Sequence, residues 1–181
     1  MPSISPPPGH TPEGGVLLGR VEARRQLVLF EDPQCPWCRK FEQTSGDLVR
    51  REIAAGAISA EYRMRCFLGP ESVRADNALV LAAGEGRFDP LLRQVFDNQP
   101  EEGTGGFTAD VLITLGAAAG LGHEGYRSGV RGGVWEGWVI EREARFAIQS
   151  PNGTPTLVLD GETVPSAFLD DPDALGQLLR A

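Results

Sequence analysis

Two cysteines separated by two residues, in the run Cys35-Pro36-Trp37-Cys38, constrain this chain more than any other feature. The apolar, partly β-branched run at residues 27–30 predicts a buried strand before them, and the polar residues that follow predict a turn. Behind the pair, apolar residues recur at intervals that predict one helical face, ended by a glycine. These residues are Phe41, Leu48, Val49 and Ile53, with Gly56 as the stop. The pair is therefore predicted to lie between a strand and a helix.

A cysteine pair at the start of a helix is suited to disulfide exchange. The attacking cysteine must be ionised near neutral pH, and its partner must be within reach. At a helix N-terminus the free N–H groups and the helix dipole favour the thiolate of Cys35, and Pro36 suits the first helical turn. Cys38, one turn further in, is expected to be buried and to resolve a mixed disulfide. Arg39 and Lys40 either stabilise the thiolate further or are solvated helix residues.

Composition limits the partners and the compartment. The formal net charge of -8 argues against nucleic acid and against anionic membranes, so we expect a protein or a thiol as ligand. The chain has no apolar run of transmembrane length and no signal peptide. We expect a cytoplasmic protein if Met1 is the native start, and an extracytoplasmic one if a leader was removed. The third cysteine, Cys66, is predicted to be a core thiol.

The pattern of strands and helices predicts one domain that carries an insertion. Residues 13–70 and 149–181 contain the predicted strands, residues 71–148 read as helices, and residues 1–12 read as an extended, Pro-rich arm. Asp160-Gly161 is a strong hairpin signal. The predicted strands are residues 16–18, 27–30, 58–68, 156–159 and 162–164, and a last helix covers residues 173–180. The glycine clusters at residues 103–106 and 120–125 match no phosphate-binding loop and are interpreted as helix breaks.

Two motifs together resemble the DsbA-like family of thiol-disulfide oxidoreductases. One is the run from Phe30 to Cys38 with Phe41 beyond it, and the other is Gly153-Thr154-Pro155-Thr156. The resemblance implies an α/β thioredoxin-like fold, a central mixed β-sheet flanked by helices, with an inserted α-helical domain. Pro155 matches the family's cis-proline, which lies against the redox pair. Its distance of 120 residues from Cys35 fits an inserted domain.

The resemblance also implies a role for each site residue. Cys35 and Cys38 form the catalytic pair, which is a redox-active disulfide and needs no other cofactor. Pro36 and Trp37 tune the pair and contact substrate. The substrate is a protein or a low-molecular-weight thiol, and the redox partner that recycles the pair is unknown.

Two further residues of the resemblance bear on substrate and direction. Thr154 and Pro155 would position an extended substrate strand by β-pairing. The pair Pro36-Trp37 suits a protein more oxidising than thioredoxin, whereas Thr154 resembles the disulfide isomerases of the superfamily. The direction of electron flow therefore stays open between oxidase, reductase and isomerase.

One position departs from the family. Thioredoxin-like proteins often have a buried carboxylate six residues before the first cysteine, where it moves protons for the resolving thiol. Here that position is Leu29. Glu31 or Asp32 could substitute through water, but both are interpreted as turn residues.

Three other classes of function compete with this prediction. A zinc site could nominally use Cys35, Cys38 and Cys66 with His10 or His123, but the sequence lacks a second C-x-x-C or a spaced His pair. A glutathione-dependent isomerase or transferase on the same fold usually loses one cysteine of the pair. A redox-inactive binding module would not need both cysteines.

Overall fold

The computed structural model describes residues 5–150 and 152–181. The described residues include a five-stranded mixed sheet. The order across the sheet is β1-β3-β2-β4-β5. Strand β2 runs parallel to β3 and antiparallel to β4, while β1 and β5 pair antiparallel at the two edges. The strands are β1 (Val16–Leu18), β2 (Arg25–Glu31), β3 (Ile58–Met64), β4 (Thr156–Leu159) and β5 (Glu162–Thr163).

The helices flank this sheet, and most of them lie between β3 and β4 in the chain. They are α1 (Pro36–Phe41), α2 (Asp47–Ala54), α3 (Pro70–Gly84), α4 (Phe88–Asp97), α5 (Ala109–Ala118), α6 (Glu124–Gly132), α7 (Glu136–Gln149) and α8 (Pro172–Arg180). Helices α3 to α7 all lie between β3 and β4 in the chain, and α3 packs against α4, α5, α6 and α7. The α/β thioredoxin-like fold class is confirmed.

Strand β2 occupies the middle of the sheet because its alternate residues are apolar and buried. Leu27 and Leu29 lie on one face, where Leu29 pairs with Tyr62 of β3 and with Leu157 of β4. The strand continues past its last pairing with β4, and its end, Glu31, pairs with Met64 of β3 alone. The carboxyl end of β2 therefore delivers the chain directly to the cysteine pair.

The helix that follows the cysteines differs from the continuous helix that the sequence predicts. Helix α1 ends at Phe41, a π-helical turn covers Glu42–Gly46, and α2 begins at Asp47. A π-turn adds a residue to the helical turn, and such turns occur often at functional sites. It lets both Phe41 and Val49 reach the core, although they lie on opposite sides of the irregularity.

Strand β3 is shorter than predicted. Its even-numbered residues face the core as expected, but the strand ends at Met64 instead of continuing to Leu68. Cys66 lies just beyond this end and is buried, with its Sγ 4.0 Å from the carbonyl oxygen of Val139. The prediction of a core thiol is confirmed. Burial raises the pKa of the Cys66 thiol well above its usual value.

Part of the predicted N-terminal arm packs against the body of the protein. Residues 1–4 lie outside the described residues, whereas Pro7 is buried and the His10 ring stacks edge-on against Trp138, 5.0 Å between ring centroids. Thr11 donates a hydrogen bond of 2.6 Å to Glu61 of β3. Residues 5–12 therefore pack against the body instead of extending away from it. Among the described residues no helix has the length and apolar character to cross a bilayer.

Candidate active site

Cys35 caps the N-terminus of α1. Its backbone is extended, Pro36 takes the first helical position, and the free thiol is 5 % exposed. Cys35 Sγ donates a hydrogen bond of 3.4 Å to the carbonyl oxygen of Thr154, so residues 119 apart in sequence meet at the sulfur. The structure thus brings together the two motifs that the sequence analysis paired.

The surroundings of Cys35 favour its thiolate. A hydrogen bond from the Cys38 thiol is the main cause that lowers the pKa of Cys35 to about 6, and it outweighs the opposing effect of burial. The side chain of Thr154 and the backbone N–H groups of Cys38 and Trp37 lower this pKa further. These N–H groups are the free donors of the helix N-terminus. A pKa near 6 leaves most of the Cys35 thiol ionised at neutral pH.

Cys38 behaves in the opposite way. It is fully buried, and burial raises its pKa well above the ordinary cysteine value. The hydrogen bond to Cys35 and the charge of Glu31 act in the same direction. One sulfur is therefore a ready nucleophile, and the other holds its proton until a base removes it.

A groove beside Thr154 is lined by three of the other predicted site residues, Trp37, Thr154 and Pro155, whereas Pro36 is not among its lining residues. The peptide bond between Thr154 and Pro155 is cis, and both residues line the groove together with Trp37, whose side chain is 63 % exposed. The groove measures about 190 Å³. Its remaining lining residues are Lys40, Phe41, Ser166, Leu169 and Asp170. It presents an apolar floor with one cation and one carboxylate at its rim.

The two basic residues after the pair are exposed. Lys40 Nζ lies 2.6 Å from the Asp170 carboxylate and 5.5 Å from the centroid of the Trp37 ring. The effects that lower the Cys35 pKa come from Cys38, Thr154 and the Trp37 backbone, and neither cation is among them. Lys40 therefore belongs to the rim of the groove.

Glu31 is not the turn residue that the sequence analysis made it. It is the last residue of β2, it is fully buried, and among the described residues neither of its carboxylate oxygens has a hydrogen-bond partner. Burial and the charge of Glu42 raise the pKa of Glu31 well above its usual value. Because side chains on a strand alternate, Glu31 shares a face with Leu29. The sequence has leucine at position 29, where a buried carboxylate was expected. The buried carboxylate of Glu31 lies two residues later, nearer the cysteines.

Glu42, in the π-turn, extends this buried polar cluster toward the surface. Its carboxylate lies 2.8 Å from the guanidinium of Arg50, which also contacts Asp89 at 2.5 Å. The hydroxyl of Tyr62 is buried nearby, and the charges of Glu42 and Glu31 help burial to raise its pKa. A polar groove of about 220 Å³ between α2 and α4 opens at Glu42 and Arg50.

Asp32 does lie in the turn, but it is buried and fully engaged. It accepts hydrogen bonds from the Ser72 hydroxyl at 2.5 Å, the Gln34 N–H at 3.0 Å and the Leu68 N–H at 3.2 Å. Burial raises its pKa to about 6 despite these bonds. Asp32 thus ties the catalytic turn to the N-terminus of α3, and its three hydrogen bonds assign it a structural role.

The residues considered for a zinc site are not brought together. Cys66 lies against α7, His10 packs on Trp138, and the ring of His123 caps α6 and contacts Glu85 at 2.8 Å. In the part of the chain that the structure describes, no group of three or more His, Cys, Asp and Glu side chains is arranged to hold a metal ion.

Comparison with known families agrees with this geometry. Residues 11–180 match the family model described as thioredoxin, which is nearly the whole chain. The chain belongs to the thioredoxin family. No curated protein sequence matches it significantly.

Solved structures with this thioredoxin fold include several disulfide oxidoreductases. The reduced disulfide bond oxidoreductase DsbG from Mycobacterium tuberculosis has a TM-score of 0.81 at 24 % identity, covering 94 % of this chain and 88 % of that one. BdbD from Bacillus subtilis has a TM-score of 0.79 at 20 % identity, with coverages of 97 % and 96 %. MdbA, a thiol-disulfide oxidoreductase from Actinomyces oris, has a TM-score of 0.80 at 18 % identity, covering 96 % of this chain and 88 % of that one. The DsbA-like resemblance is confirmed at the level of the fold.

Proposed function

We propose that this protein is a thiol-disulfide oxidoreductase that exchanges disulfides with protein or small-thiol substrates through Cys35 and Cys38. The observation that carries this proposal is the opposite ionisation of two neighbouring sulfurs. Cys35 has a pKa of about 6 at a helix N-terminus, whereas the pKa of buried Cys38 is raised. A structural cysteine pair has no need of such a difference.

In the oxidising direction, the pair starts as a disulfide. A substrate thiolate attacks Cys35 Sγ, the bond between the two sulfurs breaks, and Cys38 leaves and takes up a proton. A second substrate thiolate then attacks the mixed disulfide at the substrate sulfur, and Cys35 leaves as a stabilised thiolate. The substrate loses two electrons and two protons and gains a disulfide, and the protein becomes the dithiol. Another redox partner then restores the disulfide.

The stabilised thiolate of Cys35 suggests which direction is favoured. A low pKa stabilises the dithiol form, so the disulfide form becomes the stronger oxidant. Thioredoxin has a pKa of about 7 at this position, and DsbA about 3.5. Cys35 lies between them. We therefore infer oxidase or isomerase activity, with a driving force below that of DsbA.

The groove beside Cys35 is the proposed substrate site. An extended peptide could pair with the backbone of Thr154 by β-augmentation while its side chains rest on Trp37 and Leu169. The Thr154 carbonyl that holds the Cys35 thiol in this reduced form is near enough to meet a substrate bonded to the same sulfur. Because the groove is short and exposed, we expect it to accept peptides of many sequences and to select for none in particular.

Glu31 is the proposed proton acceptor for Cys38. Cys38 must lose its proton before it can attack a mixed disulfide, and its raised pKa makes a base necessary. The charge of Glu31 acts on Cys38, and its carboxylate oxygens have no competing hydrogen bonds among the described residues. Glu31 therefore replaces the carboxylate that the family usually has at the position of Leu29.

Trapping a mixed disulfide tests the proposal directly. Cys38→Ser cannot resolve the intermediate, so incubation with a peptide that carries one activated disulfide should leave the peptide attached to Cys35. The wild-type protein should release the peptide and form the Cys35-Cys38 disulfide. Cys35→Ser is the matched control and should trap nothing. Equal peptide attachment in both single variants, or none in either, would contradict the assignment.

A further inference from the structure

The side chain of Gln99, in the helical insertion, contacts the backbone of the catalytic turn. Gln99 follows the last turn of α4 and is buried. Its Nε2 donates hydrogen bonds to the carbonyl oxygens of Pro33 at 2.8 Å and of Cys35 at 3.0 Å. A side-chain amide has two hydrogens on nitrogen, so both are used by the catalytic turn.

These two bonds hold the backbone on either side of Gln34. The Cys35 N–H already donates to the Asp32 carbonyl at 2.9 Å, and the Cys35 carbonyl also accepts the first helical bond from Arg39 at 3.1 Å. Gln99 adds a cross-link that fixes two carbonyl groups, that of Pro33 and that of Cys35, the residue that caps α1. The orientation of the Cys35 side chain depends on this backbone, because the sulfur must face the N–H groups of the first helical turn.

The position of Gln99 is itself determined by the insertion. The connection from α4 to α5 contacts the turn again where the Gly103 N–H donates to Gln34 Oε1 at 3.0 Å. The N–H groups of Gly105 and Phe107 donate to the Glu71 carboxylate of α3 at 2.7 and 3.3 Å. The loop is therefore tied both to α3 and to the catalytic turn.

We propose that Gln99 is a positioning residue through which the helical insertion holds Cys35 at the helix N-terminus and sets its reactivity. The role of the site in disulfide exchange rests on the function proposed above. The amide N–H groups of Gln99 hold the carbonyl oxygens of Pro33 and Cys35, and with them the backbone that carries the sulfur. Loss of the amide releases the turn and leaves the thiolate less stabilised, so Cys35 becomes less acidic and the disulfide form a weaker oxidant.

The test compares Gln99→Met with the wild-type protein in the reduced state. Met keeps the length of the side chain but cannot donate. We expect the pH profile of Cys35 alkylation to move to higher pH. The rate below neutral pH should fall by about two- to tenfold, as expected for the loss of a neutral hydrogen bond. Asn98→Ala is the control, since it removes only the bond from Asn98 to the Gln94 carbonyl in the same connection.

Two readouts separate positioning from simple loss of structure. The alkylation profile and the Cys35-Cys38 equilibrium with glutathione should shift together in Gln99→Met, while Asn98→Ala leaves both unchanged. The side chain in Gln99→Asn is too short to reach both carbonyls, so its alkylation profile should shift in the same direction. This variant replaces Gln99→Met in the test if Gln99→Met does not fold. An unchanged profile in a folded Gln99 variant would overturn the proposal. A shifted profile in a protein that exchanges no disulfides would refute the proposed function and leave the role of Gln99 intact.

Discussion

At the scale of single residues, Cys35 and Cys38 share one site but hold their protons with very different strength. Because the pKa of Cys35 is lowered to about 6, iodoacetamide should alkylate the reduced protein with a single titration near that pH. The rate should be low below the titration, where Cys35 is a thiol, and should level off above it. Mass spectrometry after partial labelling should place the label on Cys35.

Cys38 and Cys66 are the internal controls for this titration. Both are buried with raised pKa values, so neither should be labelled in the folded protein at neutral pH. Cys35→Ser should abolish the fast labelling. A titration near pH 9, or label shared equally among the cysteines, would show that the helix N-terminus does not activate Cys35.

Glu31→Gln should slow the intramolecular step while stabilising the protein. Gln fills the same volume but cannot accept the Cys38 proton, so resolution of a Cys35-glutathione mixed disulfide should slow by about 100-fold, the lower end of general-base effects. Stopped-flow fluorescence of the reduced protein with glutathione disulfide separates this step from the first attack. The first step depends on the disulfide concentration and the second does not.

The stability change follows from the sign of the Glu31 shift. Its folded pKa is raised, so the wild-type protein loses stability as the pH rises above the unfolded value. Gln does not ionise, and Glu31→Gln should therefore unfold at a higher urea concentration at pH 7 and at a similar one near pH 4. Glu61→Gln on neighbouring β3 is the matched control. Resolution at the wild-type rate would show that Glu31 is not the proton acceptor.

The sequence predicts the roles of the two cysteines better than that of the buried carboxylate beside them. Cys35, Pro36 and Cys38 carry their chemistry in their spacing. Glu31 could have been placed by extending the alternation of Leu27 and Leu29 two residues further, but the following Asp-Pro suggested that the strand had ended. Nothing in the sequence indicates Gln99, because its partners are backbone carbonyls 66 and 64 residues away.

At the scale of elements, the insertion depends on a close contact between α5 and α6. Gly116 of α5 faces the buried Tyr126 ring, and a Cβ there would lie 2.6 Å from its Cζ. Tyr126 is buried and donates to the Leu112 carbonyl at 3.3 Å, so a shift of its ring would break this bond. Gly116→Ala should therefore destabilise the protein by about 1–3 kcal/mol, although alanine favours helix.

Gly137→Ala measures the helix preference without the contact. Gly137 lies near the start of α7, is exposed, and a Cβ there would meet no heavy atom within 4 Å. This substitution should stabilise the protein by about 0.5–1 kcal/mol. Urea unfolding measures the change in the free energy of unfolding for both variants, which should be opposite in sign. A neutral or stabilising Gly116→Ala would show that the two helices are not closely packed.

The elements themselves follow from hydrophobic periodicity, apart from one interruption. The strands and the Asp160-Gly161 hairpin lie within a few residues of their predicted places, and the stretch predicted to be helical contains α3 to α7. The π-turn at Glu42–Gly46 escaped prediction because the apolar residues on either side of it still fit a continuous helix. Residues on both sides of the turn, Phe41 and Val49, are buried, and Glu42 within it is buried as well.

At the scale of the whole molecule, the active site is built where two parts of the chain meet. The sheet contributes Glu31 and the Thr154-Pro155 strand end, and the insertion contributes Gln99 and the Ser72 bond to Asp32. The order of strands and helices in the sequence predicts both parts. Their contacts depend on side-chain geometry that no local pattern contains, which is why the site could be predicted only in outline.

The reduction potential of the Cys35-Cys38 pair tests the central claim most directly. It is measured by equilibrating the protein in glutathione buffers and trapping the free thiols. A Cys35 pKa about one unit below that of thioredoxin predicts a potential up to about 30 mV less negative than the value of about -270 mV for thioredoxin. It should remain below the value of about -120 mV for DsbA. A potential at or below that of thioredoxin, or a pair that never forms a disulfide, would contradict the account.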